Sequence, residues 1–261
     1  MSSFRTKSPT YSGDCRRGVL AVLRVVSLVP SATESVLAWG VIPVACTRFC
    51  EQPTLRHIGG TKDPNIAEIV ALQPDLVLCC EEENLKAHHD ELVAAGLRTF
   101  TFRVDSVSDV ASQLEALAGC LGLETSNLAG CGADAVPNEQ PPTPVLAAFV
   151  PIWRRPTMTM SGGTYGSSLL ASVGVLNVFA DAVIRYPEVT ADEVAERRPD
   201  VILAPTEPYP FKDRHLRALT EELGAPAVLV DGADLFWWGT RSAAAQVRLA
   251  AQVRQLAFLK R

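Results

Sequence analysis

An apolar run from Arg24 to Val29 (RVVSLV) ends at Pro30 and predicts a β-strand. Ser31-Ala32-Thr33-Glu34 follows with the S-x-x-E spacing of a capping box, so a helix is expected to start there. It would run through Val36, Leu37 and Trp39 and stop at Gly40, a residue that accepts the left-handed backbone of a helix end. A second strand is expected near Pro43 to Ala45, then a long loop from Thr47 to Pro64. Ile66 to Leu72 predicts a short helix, and the unbroken apolar run Asp75 to Cys80 (DLVLCC) a strand buried on both faces. A helix from Asn84 to Ala95, ended by Gly96, and an alternating strand from Arg98 to Phe102 complete this unit.

The pattern then repeats. IAEIVALQPDLVL (Ile66 to Leu78) matches ADEVAERRPDVIL (Ala191 to Leu203) at a constant offset, since 199 − 74 = 125 for the proline and 193 − 68 = 125 for the glutamate. VLAAFV (Val145 to Val150) parallels RVVSLV, and the helix LLASVG ends at Gly174 as the first ends at Gly40. One supersecondary plan used twice predicts two similar α/β lobes with mainly parallel sheets flanked by helices. Between the copies, Val110, Leu114, Leu117 and Leu121 recur at helical spacing within Ser108 to Ala129, which predicts a single long helix joining the lobes. Pro137 to Pro144 reads as a stiff exposed connection, and Thr240 to Leu259 as a closing helix. The expected division is a loose tail over 1–22, a first lobe over 23–104, a linking helix over 105–136 and a second lobe over 137–261.

Charge and cysteine content narrow the function. Lys plus Arg is 24 against 29 for Asp plus Glu, a net charge of −5 without a basic run, so there is no electrostatic footprint for nucleic acid. Seven cysteines, at 15, 46, 50, 79, 80, 120 and 131, are odd in number and contain no C-x-x-C pair, and they read as reduced thiols. The apolar stretch Gly18 to Leu23 is shorter than the core of an export signal, and Cys15 has no apolar segment before it. A cytoplasmic address is the expectation for the sequence as it stands, and a periplasmic or cell-surface one if translation starts elsewhere. No stretch is long and apolar enough for a membrane-spanning helix.

Candidate chemistry gathers in the loops expected at strand ends. Trp153, Trp237 and Trp238 lie in such loops, where large aromatics with a polar handle suit a wide flat ligand or pack the loops together. Adjacent His88 and His89 diverge on a helix and cannot chelate one ion together, so no side-chain metal set is assigned. Cys50, in a loop beside Phe49, is the best single thiol candidate, although a small buried residue explains it as well. There is no G-x-S-x-G elbow, and neither Gly59-Gly60 nor Gly162-Gly163 has a phosphate-loop spacing, so hydrolase and nucleotide chemistry lack support. Glu68 and Glu193 occupy equivalent places in the two copies, either as ordinary helix-surface charges or as one acidic knob per lobe for docking a partner.

SLVPSATESVLAWG, NIAEIVALQPDLVL and ADEVAERRPDVIL resemble the cobalamin and ferric-siderophore binding proteins of ABC importers, the helical-backbone metal receptors, from about Arg24 to the C-terminus. The chain looks closest to a cobalamin-binding-like branch, through T-x-F-C, G-G-T-K, E-E-N, P-I-W-R-R-P, R-Y-P-E-V-T and E-P-Y-P-F-K. The resemblance implies a class III periplasmic-binding-protein-like fold and a non-enzymatic receptor. Its ligand would be a cobalamin-like corrinoid or another metal chelate held between the lobes, with no covalent cofactor. Phe49, Trp153, Tyr165, Tyr186, Tyr209, Trp237 and Trp238 would then give flat contact surface, and Thr61, Lys62, Glu82, Arg154 and Glu207 polar contacts. Cys50 could touch the metal. Tyr186 falls where that family has a corrin-contacting tryptophan, and Thr61 replaces another such aromatic. Glu68 and Glu193 match glutamates that meet arginines of a membrane permease. The alternative is a cytoplasmic enzyme or chelate-handling protein on the same scaffold, using Cys50.

Overall fold

Val25–Ser27 (β1) lies inside a four-stranded parallel sheet in the computed structural model, which describes residues 23–131 and 142–259. Ala45–Cys46 (β2), Leu76–Cys80 (β3) and Thr99–Phe102 (β4) complete it in the order β2-β1-β3-β4. Every residue of β3 is buried, as its unbroken apolar run requires of a strand covered on both faces. The second half builds Leu146–Phe149 (β5), a small antiparallel hairpin of Trp153–Arg154 (β6) and Thr157–Met158 (β7), then Val175–Asn177 (β8), Val201–Pro205 (β9) and Ala227–Val230 (β10). Its main sheet runs β10-β9-β5-β8, all parallel. Read from the other edge, this is the order of the first sheet again. The expected tail over 1–22, with Cys15, and residues 132–141 of the connection lie outside the described residues.

The repeated motif does the same work in both halves. Ile66–Ala71 (α2) and Ala191–Glu196 (α6) start 191 − 66 = 125 residues apart, and β3 and β9 start 201 − 76 = 125 apart. Gln73 and Arg198, also equivalent, turn to positive φ (45° and 49°) just before the proline and end each helix. Each following aspartate then ties its strand to the neighbouring one. The Asp75 carboxylate accepts the Arg24 N–H at 2.8 Å while its own N–H reaches the Arg24 carbonyl. Asp200 makes the same pair with Ala147, at 2.8 and 2.7 Å.

Several boundaries differ from the sequence expectation, and those of α1 and α4 have a clear physical cause. Pro30–Ala38 (α1) starts one residue before the expected box, with no side-chain cap at its N-cap Val29. Proline at the first helical position has its φ already set and no N–H to satisfy, so it opens the helix without Ser31. Ser31 is buried instead, and Glu34 is drawn to Arg241, 2.7 Å away. The linking helix is Val107–Cys120 (α4) rather than Ser108 to Ala129. Gly122, at φ 70°, breaks it as Gly40, at φ 78°, ends α1, and only a 3-10 turn, Thr125–Asn127, follows. The start of α4 is held by Asp109, whose carboxylate accepts the Ser106 N–H at 2.8 Å.

Lys86–Ala94 (α3), Tyr165–Ser172 (α5), Asp213–Leu223 (α7), Gly232–Phe236 (α8) and the closing Ser242–Leu259 (α9) are the other helices of the described residues. The largest core cluster is shared by both halves: Phe102 from β4, Leu114 and Leu117 from α4, Leu146 from β5 and Leu249 from α9 all belong to it. Trp238 closes it against Phe102, with ring centroids 4.6 Å apart. A shared core fixes the two sheets relative to one another and aims the loops after their strands at a common seam.

Candidate functional site at the seam between the two sheets

Parallel strands present all their C-terminal ends on one side, and the crevice there is where such sheets bind ligands. On the first half the segments after β1, β2 and β3 are stitched together by polar contacts. Buried Asn84 accepts the Cys80 N–H at 2.8 Å and donates to the carbonyls of Leu28 at 3.3 Å and Thr61 at 2.9 Å. Lys62 Nζ donates to the Glu82 carbonyl at 2.7 Å. One asparagine and one lysine therefore join segments from β1, the G-G-T-K loop and the E-E-N loop.

Arg185, in the loop after β8, crosses the seam. Its Nη2 reaches Glu82 Oε2 at 3.0 Å and its Nη1 lies 2.8 Å from Asp105 Oδ1, both on the first half, while Nη1 also donates to the Gly163 carbonyl at 2.6 Å. A second crossing joins Arg241 to Glu34 of α1. Two arginines from the second half thus grip carboxylates of the first.

The loops after the strands of both halves also carry exposed or half-buried aromatic side chains. Trp153 is 43% exposed and packs edge-on against Tyr209 at 5.5 Å, and Tyr209 in turn meets Phe211 at 4.6 Å. Phe49 is 49% exposed on the facing half, with the Arg48 guanidinium stacked over it at 4.8 Å. Half-buried Tyr186 lies beside Arg185 at 5.8 Å, and half-buried Trp237 beside Arg241 at 5.2 Å.

The charges in these loops are perturbed. Burial raises Glu83 to about 8, helped by the neighbouring charges of Glu82 and Cys50 and opposed by Lys62, with Glu207 on the other half adding to the rise. Glu207 is raised to about 7, again chiefly by burial and then by Glu51, while a hydrogen bond from Trp237 pulls the other way. Both carboxyls keep protons into the neutral range, where they offer a donor as well as an acceptor. The Cys50 thiol moves the opposite way, to about 6, through hydrogen bonds from Cys46, Thr33 and Thr47 that outweigh its burial.

Phe49, Lys62, Glu82, Trp153, Tyr186, Glu207, Tyr209 and Trp237 are exposed or half-buried in the segments that follow the strands, and Thr61 is half-buried. Arg154 is half-buried in the β6-β7 hairpin, 4.0 Å from Glu222 of α7. Three of the named residues are in the interior. Tyr165 is 3% exposed with its hydroxyl 2.8 Å from Ser242, Trp238 belongs to the core, and Cys50 is 2% exposed, its sulfur 3.1 Å from the Thr33 hydroxyl. Each is drawn inward by apolar bulk or small size, against the expectation of a ligand-facing role. Glu68 and Glu193 both sit in the first turn of their helices. The Glu68 N–H reaches Asn65 Oδ1 at 3.1 Å, and Arg56 holds its carboxylate at 2.6 Å, whereas Glu193 completes a capping box with Thr190 and stays exposed. Among the described residues no group of three His, Cys, Asp or Glu side chains is arranged to hold a metal ion.

Arg185, Glu83, Asn84 and Arg241 belong to this site but carried no separate signal. Arg185 and Glu83 stood inside loop motifs, R-Y-P and E-E-N, and nothing in the order of residues says which of three successive glutamates turns toward the seam. Cavities of 340 Å³, lined by residues including Pro144 and Leu176, and of 670 Å³, beside Phe258 and Leu259, lie away from these loops.

Residues 25–222 match the model of a family described as periplasmic binding protein. A vitamin B12-binding protein of Yersinia pestis (strain Pestoides F) is 29% identical over 198 residues, spanning 70% of this chain and 69% of that protein. Among solved structures, the periplasmic vitamin B12 binding protein of Vibrio cholerae superposes with a TM-score of 0.70 at 21% identity, over 89% of this chain and 97% of the other. The periplasmic heme binding protein of Vibrio cholerae gives 0.71 at 18% identity, over 89% and 99%. These likenesses extend to the fold of both halves.

Proposed function

The chain belongs to the periplasmic binding protein family, and from that premise we propose that it is a solute-binding protein that holds a corrinoid or related flat metal chelate between its two halves. The ligand would pass to an ABC-type permease from the periplasmic or cell-surface side. The observation that carries the reading is the Arg185 bridge from the second half to Glu82 and Asp105 of the first, among loops whose aromatics, Phe49 on one half and Trp153, Tyr186 and Tyr209 on the other, stay exposed or half-buried. Flat aromatic faces suit a macrocycle, and polar groups between them fix its orientation. The names of the relatives, which bind vitamin B12 or heme, support the same class of ligand. Glu83 and Glu207, protonated into the neutral range, offer both a donor and an acceptor, which suits the amide-rich edge of a corrinoid. Glu68 and Glu193, one per half, are the docking points in this reading.

Isothermal titration with cobinamide, cobalamin, hemin and a ferric hydroxamate tests it. Saturable one-to-one binding without turnover is expected, with a corrinoid the tightest, and Trp153→Ala or Tyr186→Ala should each weaken it about tenfold or more while leaving thermal unfolding in place. No saturation by any of the four, or titrations unchanged in both variants, would overturn the proposal.

A further inference from the structure

The two arginine bridges across the seam differ in kind. Around Arg241 the halves touch through backbone as well as side chains: a Cβ on Gly239 would collide with Ser35 Oγ, the Thr240 N–H donates to the same hydroxyl at 3.3 Å, and Arg241, itself 21% exposed, pairs with Glu34 at 2.7 Å. That contact is a close-packed joint. Arg185 instead reaches the first half with its side chain alone, and the side chains of Arg185, Glu82 and Asp105 are 35%, 32% and 35% exposed. Its partners also have somewhere to go when the bridge breaks. Arg185 Nη1 already donates to the Gly163 carbonyl of its own half at 2.6 Å, Arg103 already holds Asp105 at 2.9 Å, and Glu82 is exposed to water. Arg185 Nε, by contrast, is buried without a hydrogen-bond partner among the described residues, so the bridged arrangement leaves a donor unsatisfied that opening would release to solvent. A bridge of this kind is weak and reversible, and at 2.8 to 3.0 Å its paired atoms leave no room for a ring between these loops.

We propose that Arg185, Glu82 and Asp105 form an electrostatic latch across the seam, closed by the two ion pairs and opened as a ligand enters. The latch follows from the contacts alone, whereas its gating of ligand entry rests on the solute-binding reading. On opening, Arg185 stays with Gly163 and Asp105 with Arg103, and the loops part by a small rocking motion about the joint at Gly239. Salt screens partly exposed ion pairs and so shifts the latch toward the open arrangement. The same exposure bounds the effect, since such a pair changes an equilibrium by up to about fivefold.

Amide hydrogen exchange on the full-length protein, without added ligand, reads the latch. In the parent, raising NaCl from about 20 mM to about 500 mM should speed exchange in 81–84 and 103–106 by up to about fivefold, to the level of Arg185→Ala, which salt should then leave unchanged. Glu82→Ala alters only the first half, yet the Ser161 amide of the second half, which donates to the Arg185 carbonyl at 2.9 Å, should also exchange faster. Stopped-flow mixing with dicyanocobinamide, which has no net charge, reads the gating. Association should quicken with salt in the parent and be fast and insensitive to salt in Arg185→Ala. Exchange unmoved by salt in the parent, or a Glu82→Ala effect confined to the first half, would overturn the latch. Salt-independent association alongside salt-dependent exchange would overturn its gating role. Absence of binding would overturn the solute-binding reading and the gating with it, while the exchange comparison, which uses no ligand, still decides the latch.

Discussion

Glu83 and Glu207 show how a residue's neighbours set its chemistry. An unfolded glutamate ionises near 4.5, whereas these two hold their protons in the folded chain to about 8 and about 7. Their contribution to stability is therefore fully present below about pH 4.5 and is lost as pH rises through 7 and 8. Glu83→Gln and Glu207→Gln remove that penalty. Scanning calorimetry should show each variant melting a few degrees above the parent at pH 8.5, at roughly 2–4 °C per kcal/mol for a chain of this size. The difference should vanish at pH 4.5; an equal gain at both pH values would mean that packing, and not the proton, is responsible. Cys50 is the counter-example at the same scale, since buried Cys79 and Cys80 rise while it falls. Burial alone raises Cys79 and, with the charge of Glu83, leads the rise of Cys80, whereas the hydrogen bonds around the Cys50 sulfur outweigh its burial.

At the scale of elements, the helix and strand of the repeated motif keep the same length and offset in both copies because their termini are chemically specified. A positive-φ residue stops the helix, proline prevents its continuation, and aspartate pins the next strand. Glu68 and Glu193 belong to the same logic as carboxylates in the first turns of α2 and α6, where the helix dipole favours them. That role competes with docking as the reason for their placement, and one substitution separates the two. Glutamine keeps an acceptor for the cap while discarding the charge, so the double variant Glu68→Gln, Glu193→Gln should lose no more than about 1 kcal/mol of stability in urea unfolding. Capture of an ABC permease from solubilised membranes should nonetheless fall sharply. Undiminished capture would leave the glutamates as caps alone.

On the scale of the whole molecule, the shared core and the side-chain bridges act on different motions. Phe102, Trp238 and the buried face of α4 resist separation of the sheets, whereas Arg185 holds only loops, through partly exposed ion pairs worth about 0.2–1 kcal/mol. Arg185→Ala should therefore leave cooperative unfolding close to the parent and raise amide hydrogen exchange in 81–84 and 103–106 by up to about fivefold, with β5 and β9 unaffected. Faster exchange throughout both sheets would show that the arginine supports the fold itself. A stiff frame with a loosely bridged seam predicts small rocking on ligand entry rather than wide hinge closure.

The sequence by itself determined the elements and their repetition. Apolar periodicity marks strands and helices wherever burial is continuous, as in DLVLCC, and a constant offset of 125 residues needs no structure to be seen. It also placed most of the exposed or half-buried aromatics, because residues that follow a parallel strand must emerge at the same edge. It misjudged the start of α1, where a proline at the first helical position outranked a capping-box pattern, and the length of α4, where one glycine ended the helix early. Tertiary structure alone decided which side chains face the seam. Trp237 and Trp238 are adjacent in the chain, yet one is half-buried and the other lies in the core, and of Glu82 and Glu83 one pairs with an arginine while the other is left to keep its proton. Those outcomes depend on atoms supplied by the other half, and local pattern carries no record of them.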